Sequence, residues 1–279
     1  GLDDDCDGEV DEALDAGEVC GGDVCGPDLP TLTVDAGRTG DTRGLADDHA
    51  GSACVPEATG PDQVLRFQAQ AGEHVVGVAP LSADYDPVFW VARGCDTLNQ
   101  CTASLGSGRV QAGRPKARRG VLAAGEHVVV VDGRDAAGGA YALSLRPFSA
   151  GETCARAVAL PLPGRLVGTL DGRANDHAGQ RCPIGLLTTG ADQAVRFELA
   201  AAATVRVRLT PDTSWMPTVY VVRDCAQVDN TCAGSARANA PGQILDFTAE
   251  LAAGTWYVVV ERPSAQQAGG EFLLELSPE

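Results

Sequence analysis

In the opening stretch "GLDDDCDGEVDEALD", Asp3, Asp5 and Asp7 alternate, Gly8 follows at once, and Val10 precedes Asp11 and Glu12. Calcium loops of the DxDxDG kind take carboxylates from positions 1, 3 and 5 and need a glycine at 6. They use a backbone carbonyl at 7 and often a water-mediated contact at 9. On that count Asp3, Asp5 and Asp7 give carboxylates, Glu9 gives its carbonyl, and Asp11 acts through water. Position 12 is Leu14, where the pattern wants a bidentate acid, so Glu12 or Asp15 must take its part. The plain alternative is a solvated acidic run. The register of Gly8 and Val10 favours the loop, and calcium is the expected cofactor.

The second chemistry is that of sulfur. The ten cysteines include no CxxC pair, which argues for disulfides over a zinc ribbon or a redox motif. Disulfides imply export, to a cell surface, periplasm or medium. No run approaches the roughly 18 apolar residues of a membrane span. With Gly1 first and no signal peptide, the chain reads as a mature or excised piece of a longer exported protein.

Catalytic constellations are missing: there is no HExxH, GxSxG, Walker loop or strand-borne GxGxxG. His49, His74, His127 and His177 do not build a triad, and "SADYDP" around Asp84 and Asp86 reads as a turn. The chain is expected not to be an enzyme.

The elements that must position these groups come in two copies. "DHAG" stands at Asp48–Gly51 and again at Asp176–Gly179; "DQVLRF" from Asp62 returns as "DQAVRF" from Asp192. "VARGC" ending at Cys95 returns as "VVRDC" ending at Cys225. "AAGEHVVVV" matches "AAGTWYVVV", and "GGAYALSL" matches "GGEFLLEL". The expected organisation is an acidic metal-binding segment over 1–24 and homologous domains over 25–150 and 151–279. Within each copy the hydrophobic period is two. "VRVRL" puts Val205, Val207 and Leu209 on one face and Arg206 and Arg208 on the other. Short strands separated by Gly, Pro and Asp turns predict an all-β chain of two tandem antiparallel β-sandwiches of jelly-roll type.

The repeat constrains the sulfur chemistry, because Cys25, Cys54, Cys95 and Cys101 correspond to Cys154, Cys182, Cys225 and Cys232. Short clips Cys95–Cys101 and Cys225–Cys232 and longer staples Cys25–Cys54 and Cys154–Cys182 are expected, with Cys6–Cys20 closing the acidic loop. Exchanging Cys20 and Cys25 gives an equally tidy scheme.

The formal charge is −17, yet residues 1–28 hold eleven acids and no base, which leaves about −6 for the rest. Nucleic acid is therefore excluded as a partner, since phosphate binding needs a basic face. The one dense basic run is "RPKARR", with Arg114, Lys116, Arg118 and Arg119; it reads as a solvated loop or a contact patch, and the second copy has "ARANAPG" there. Aromatics are few, and Trp215 in "TPDTSWMP" is the one candidate for an exposed anchor.

The strand signatures "DQ[VA][LV]RF", "V[AV]R[GD]C", "AAGxxxVVV" and "GGx[YF]xLxL" resemble the bacterial pre-peptidase C-terminal domain, over about residues 25–148 and 154–278. The opening segment resembles the short DxDCDGxxDE repeats of exported bacterial surface proteins and, more loosely, dockerin and thrombospondin type 3 loops. The first resemblance implies secreted, non-catalytic accessory modules, some of which bind calcium near their N-terminal strands. It points at Asp47, Asp48 and Asp62, and at Asn175, Asp176 and Asp192, as a second tier of oxygen ligands. The alternative for these loops is a pair of Asx-turns, and His49 and His177 are expected to pack or hydrogen-bond.

The expected function is that of a secreted or cell-surface bacterial structural or adhesive protein, contacting copies of itself or neighbouring surface proteins. The alternative is an accessory module that carries a larger secreted enzyme to polysaccharide or a protein matrix.

Overall fold

The structure is a computed structural model. It describes residues 18–19, 25–35, 37–49, 55–98, 100, 105, 107–110, 113–177, 182, 189–267 and 270–279. The acidic-loop residues Asp3, Asp5, Asp7, Glu9, Asp11 and Glu12, with Cys6, Cys20, Cys54 and Cys101, lie outside the described residues. The chain divides into two compact units between Pro147 and Phe148.

Among the described residues, eight strands of three residues or more build the first unit: β1 (Gly37–Asp41), β2 (Ala58–Ala69), β3 (Gly72–Pro80), β4 (Pro87–Ala92), β5 (Ser107–Arg109), β6 (Lys116–Leu122), β7 (Gly125–Arg134) and β8 (Ala140–Pro147). Eight more build the second: β9 (Gly164–Thr169), β10 (Asp192–Leu199), β11 (Ala203–Pro211), β12 (Thr218–Val222), β13 (Cys232–Arg237), β14 (Leu245–Leu251), β15 (Gly254–Glu261) and β16 (Glu271–Pro278). One sheet of the first unit runs β1-β8-β3-β6 and the other β2-β7-β4-β5. The second unit repeats both orders eight strands on, β9-β16-β11-β14 and β10-β15-β12-β13. Two-residue strands, Glu18–Val19 and Val158–Ala159, add in parallel beside β1 and β10. Pairing first with last, second with seventh, third with sixth and fourth with fifth is the wrapping of a jelly roll. No helix among the described residues is long and apolar enough to cross a membrane.

The alternation read from "VRVRL" is realised in β11. Val205, Val207 and Leu209 are fully buried, while Arg206 on the opposite face bonds Asp246 of β14 at 2.6 Å. The repeated "AAG" is a hairpin turn into β7 and β15, where Gly125 and Gly254 have φ of 124° and 117°. A side chain disfavours that backbone region, which explains why the motif recurs with its glycine.

The disulfides differ from the expected scheme. Cys25 bonds Cys95, Cys154 bonds Cys225, and Cys182 bonds Cys232, with Cα–Cα distances of 5.5, 5.9 and 5.8 Å. Neither the clip Cys225–Cys232 nor the staple Cys154–Cys182 forms, and Cys95 and Cys25 pair with each other instead. Short sequence separation misled because the jelly roll lays each unit's entry segment against the turn that leaves its fourth strand. Such bonds are the chemistry of an exported chain.

The basic run is also placed differently from a loop. Lys116, Arg118 and Arg119 lie in β6, an edge strand whose partner is β3. Its counterpart in the second unit is "LDFTAEL" of β14, which pairs with β11 in the same way, and not "ARANAPG".

Candidate metal centre

Each unit carries a buried carboxylate on its second strand, Asp62 within β2 and Asp192 as the first residue of β10, and that carboxylate ties down the preceding "DHAG" loop. In the first unit, one oxygen of Asp62 accepts the backbone N–H groups of Asp48 and His49 at 2.9 and 3.0 Å. In the second, Asp192 accepts those of Asp176 and His177 at 2.8 and 2.9 Å. The loops are therefore held by an acid from the sheet, where Asx-turns would have been self-contained. The other oxygen of each carboxylate, Asp62 Oδ1 and Asp192 Oδ1, is buried without a hydrogen-bond partner. So is Nε2 of His49 and of His177, at 3.8 and 3.9 Å from those oxygens.

A further acid joins the first site. Asp132 of β7 lies directly opposite Asp62 of β2 in the ladder, and both are fully buried. Two like charges placed opposite each other in a sheet repel. Gly60 N–H donates to one oxygen of Asp132 at 3.2 Å, while Oδ2 has no partner. Desolvation by burial raises the Asp132 carboxyl to about 8, with the charges of Asp62 and Asp47 pushing the same way. Burial raises Asp62 to about 6 against the two loop N–H groups that lower it. Asp47, exposed on the loop, completes a group in which one oxygen from each of Asp47, Asp62 and Asp132 lies within 4.8 Å of the others.

The second unit is wired otherwise. Its ladder puts Glu261 opposite Asp192, and Asn175 stands where the first unit has Asp47. Tyr220, at the position of Trp90, donates its hydroxyl to the His177 carbonyl at 2.7 Å. The loop is braced by Arg173, whose Nε donates to Thr169 O at 2.9 Å and whose Nη1 meets Glu152 at 2.5 Å. His177 also approaches the sulfurs of Cys154 and Cys225, but these are bonded to each other and do not serve as ligands.

Of the residues singled out from sequence, Asp47 and Asp62 converge, while Asp48, Asn175 and Asp176 are exposed and Asp48 and Asp176 contribute backbone N–H groups. Asp132 and Glu261 were missed. The available signal was an acid closing the same apolar strand in both copies, "VVVVD" and "VVVE". Trp215 is a correction: it is fully buried in the second core and donates its indole N–H to Glu271 O at 3.0 Å. It is not an exposed anchor, because the loop after β11 turns the indole into the core. Arg119 is engaged by Glu73 of the neighbouring strand at 2.8 Å. Arg114 is half-buried just ahead of β6.

No family model matches the chain, and no curated protein matches it. Among solved structures it is similar to the pre-peptidase C-terminal domain of collagenase from Bacillus anthracis, at 17% identity and TM-score 0.30, covering 43% of this chain and 92% of that one. It is also similar to the secreted serine protease VesC from Vibrio cholerae, at 13% identity and TM-score 0.25, covering 78% of this chain and 47% of that one. A third is the isomalto-dextranase of Arthrobacter globiformis, at 12% identity and TM-score 0.23, covering 77% and 34%. The chain is a structural neighbour of a pre-peptidase C-terminal domain and of other β-sandwich domains.

Proposed function

We propose that the chain is a non-catalytic structural part of a secreted or surface-exposed bacterial protein: two disulfide-stapled tandem jelly rolls that act as a spacer, with calcium as the proposed cofactor. Further copies or neighbouring surface proteins are its proposed partners. One observation carries this reading. Both units bolt their entry segment to the exit of the fourth strand with the same long-span disulfide, of sequence separation 70 and 71. A bond in that place keeps the enclosed chain from paying out under tension, and the duplication kept it twice while the loops and site residues diverged. The enclosed segment corresponds to about 240 Å of extended chain per unit, at roughly 3.4 Å per residue.

Single-molecule pulling of the oxidised chain tests this. Each unit is expected to release a contour length about 240 Å shorter than it does after reduction, and the chain is not expected to be retained on insoluble polysaccharide or protein matrix. Saturable retention, competed by the soluble matrix component, would overturn the spacer reading in favour of an accessory binding module.

A further inference from the structure

We propose that the second unit, once its entry disulfide is reduced, holds a divalent cation of the zinc class between the sulfurs of Cys154 and Cys225 and Nδ1 of His177. The site goes beyond the spacer reading and is independent of calcium. Its donors are thiolate sulfur and imidazole nitrogen, which suit zinc, where calcium takes oxygen.

Three observations converge. One ligand atom from each of Cys154, His177 and Cys225 lies within 4.8 Å of the others, and His177 Nδ1 stands 4.0 Å from Cys154 Sγ. Zn–S bonds of about 2.3 Å and Zn–N bonds of about 2.0 Å set tetrahedral ligands roughly 3.6–3.8 Å apart, so small shifts suffice. The ring is also fixed in place. His177 is 4% exposed; its backbone N–H is held by Asp192 at 2.9 Å, and its carbonyl accepts the Tyr220 hydroxyl at 2.7 Å. Finally, the other ring nitrogen, Nε2, lies 3.9 Å from Asp192 Oδ1, and both atoms are buried without a hydrogen-bond partner. A carboxylate beside the far nitrogen takes the ring proton there and leaves the near nitrogen bare for a metal.

The chemistry balances. A dithiol reductant gives two electrons and two protons to the Cys154–Cys225 bond, which becomes two thiols while the dithiol becomes a disulfide. The cation then binds as both thiols release their protons to solvent, and water fills the fourth position. In the oxidised chain the ring hydrogen-bonds the Cys225 backbone. On metal binding its proton moves to Nε2, where Asp192 accepts it. The first unit is a built-in comparison, with His49 and the Cys25–Cys95 bond at the same places in the repeat. Among the described residues His49 does not gather with those sulfurs. Trp90 stands at the position of Tyr220 and gives its indole N–H to Leu98 O, so that position offers His49 no hydroxyl. Under reducing conditions the cation therefore takes over the staple of the second unit alone.

The experiment takes the full chain, reduced with a dithiol that is then removed without oxygen, and titrates it with cobalt(II) followed by zinc alone. The tightest step is expected to be one cobalt per chain, with tetrahedral d–d bands and a sulfur-to-metal charge-transfer band. Zinc is expected to displace it at one equivalent, and a large excess of calcium is not. Cys154→Ser with Cys225→Ser is expected to lose that step, and the matched pair Cys25→Ser with Cys95→Ser to keep it. His177→Gln, which leaves both sulfurs in place, is expected to lose the tetrahedral bands. Asp192→Asn, which still accepts the loop N–H groups, is expected to bind about 10–100-fold more weakly. No step at one equivalent, a step that survives loss of Cys154 and Cys225, or equal loss in the two serine pairs would overturn the assignment. So would an unchanged spectrum in His177→Gln, which does not depend on how the serine variants fold.

Discussion

Asp192 accepts the backbone N–H of His177 on one oxygen at 2.9 Å and holds its other oxygen 3.9 Å from the Nε2 of the same residue. Burial raises the Asp192 carboxyl to about 7, with the nearby charges of Asp176 and Glu152 adding to the rise. Burial also lowers His177, which by itself makes stability rise with pH and so offsets part of the Asp192 slope. A carboxyl raised on folding binds its proton more tightly in the native state. Its contribution is therefore complete below the unfolded value near 4 and is lost as pH rises through about 7. Urea midpoints of the second unit measured in chelator are expected to fall between pH 4.5 and 8. Asp192→Asn keeps the acceptor for both N–H groups and should flatten that slope; an unchanged slope would show that Asp192 is not the titrating group.

The disulfide pattern extends by the repeat. Cys182 bonds Cys232, and the residues aligned with them are Cys54 and Cys101. Non-reducing peptide mapping is expected to recover a Cys54–Cys101 peptide, leaving Cys6 with Cys20. A Cys20–Cys54 or Cys6–Cys101 peptide would break the equivalence of the two units.

Trp215 fills the second core, so its removal is a stability event. Trp215→Ala should cost about 3–5 kcal/mol by leaving a large cavity. Chemical denaturation measures it. A loss below about 1 kcal/mol would place the indole at the surface after all.

The basic run is arranged against edge pairing. Lys116 and Arg118 of β6 stand opposite Val78 and Val76, which belong to the core, so the two charges share the inward face of a strand that, among the described residues, ends its sheet. Inward-pointing charge at an edge strand discourages the addition of another chain. The equivalent positions of β14 are Leu245 and Phe247, opposite Leu209 and Val207. Replacing both charges, Lys116→Leu with Arg118→Phe, is expected to give concentration-dependent association in sedimentation, beyond that of the wild-type chain. A double variant that sediments like the wild type would show that the charges play no protective part.

Much of the fold was legible along the chain. Period-two patterns such as "VRVRL" and the "AAG" turns are local: they follow from the pleat and from one glycine's backbone freedom, and the duplication let each copy check the other. The convergence of Asp62 with the loop at Asp47 and Asp48 was also anticipated, through family resemblance and a shared motif. Three things were decided by the tertiary structure alone. Cross-strand register placed Asp132 against Asp62, because a ladder joins residues about seventy positions apart and a slip of one would have turned either side chain to the other face. Strand wrapping paired Cys25 with Cys95 in preference to nearer cysteines. Loop return buried Trp215, which in sequence stands in the turn-like stretch "TPDTSWMP". In each case the chain carried the right residue type, and the long-range pairing of the jelly roll supplied its neighbour.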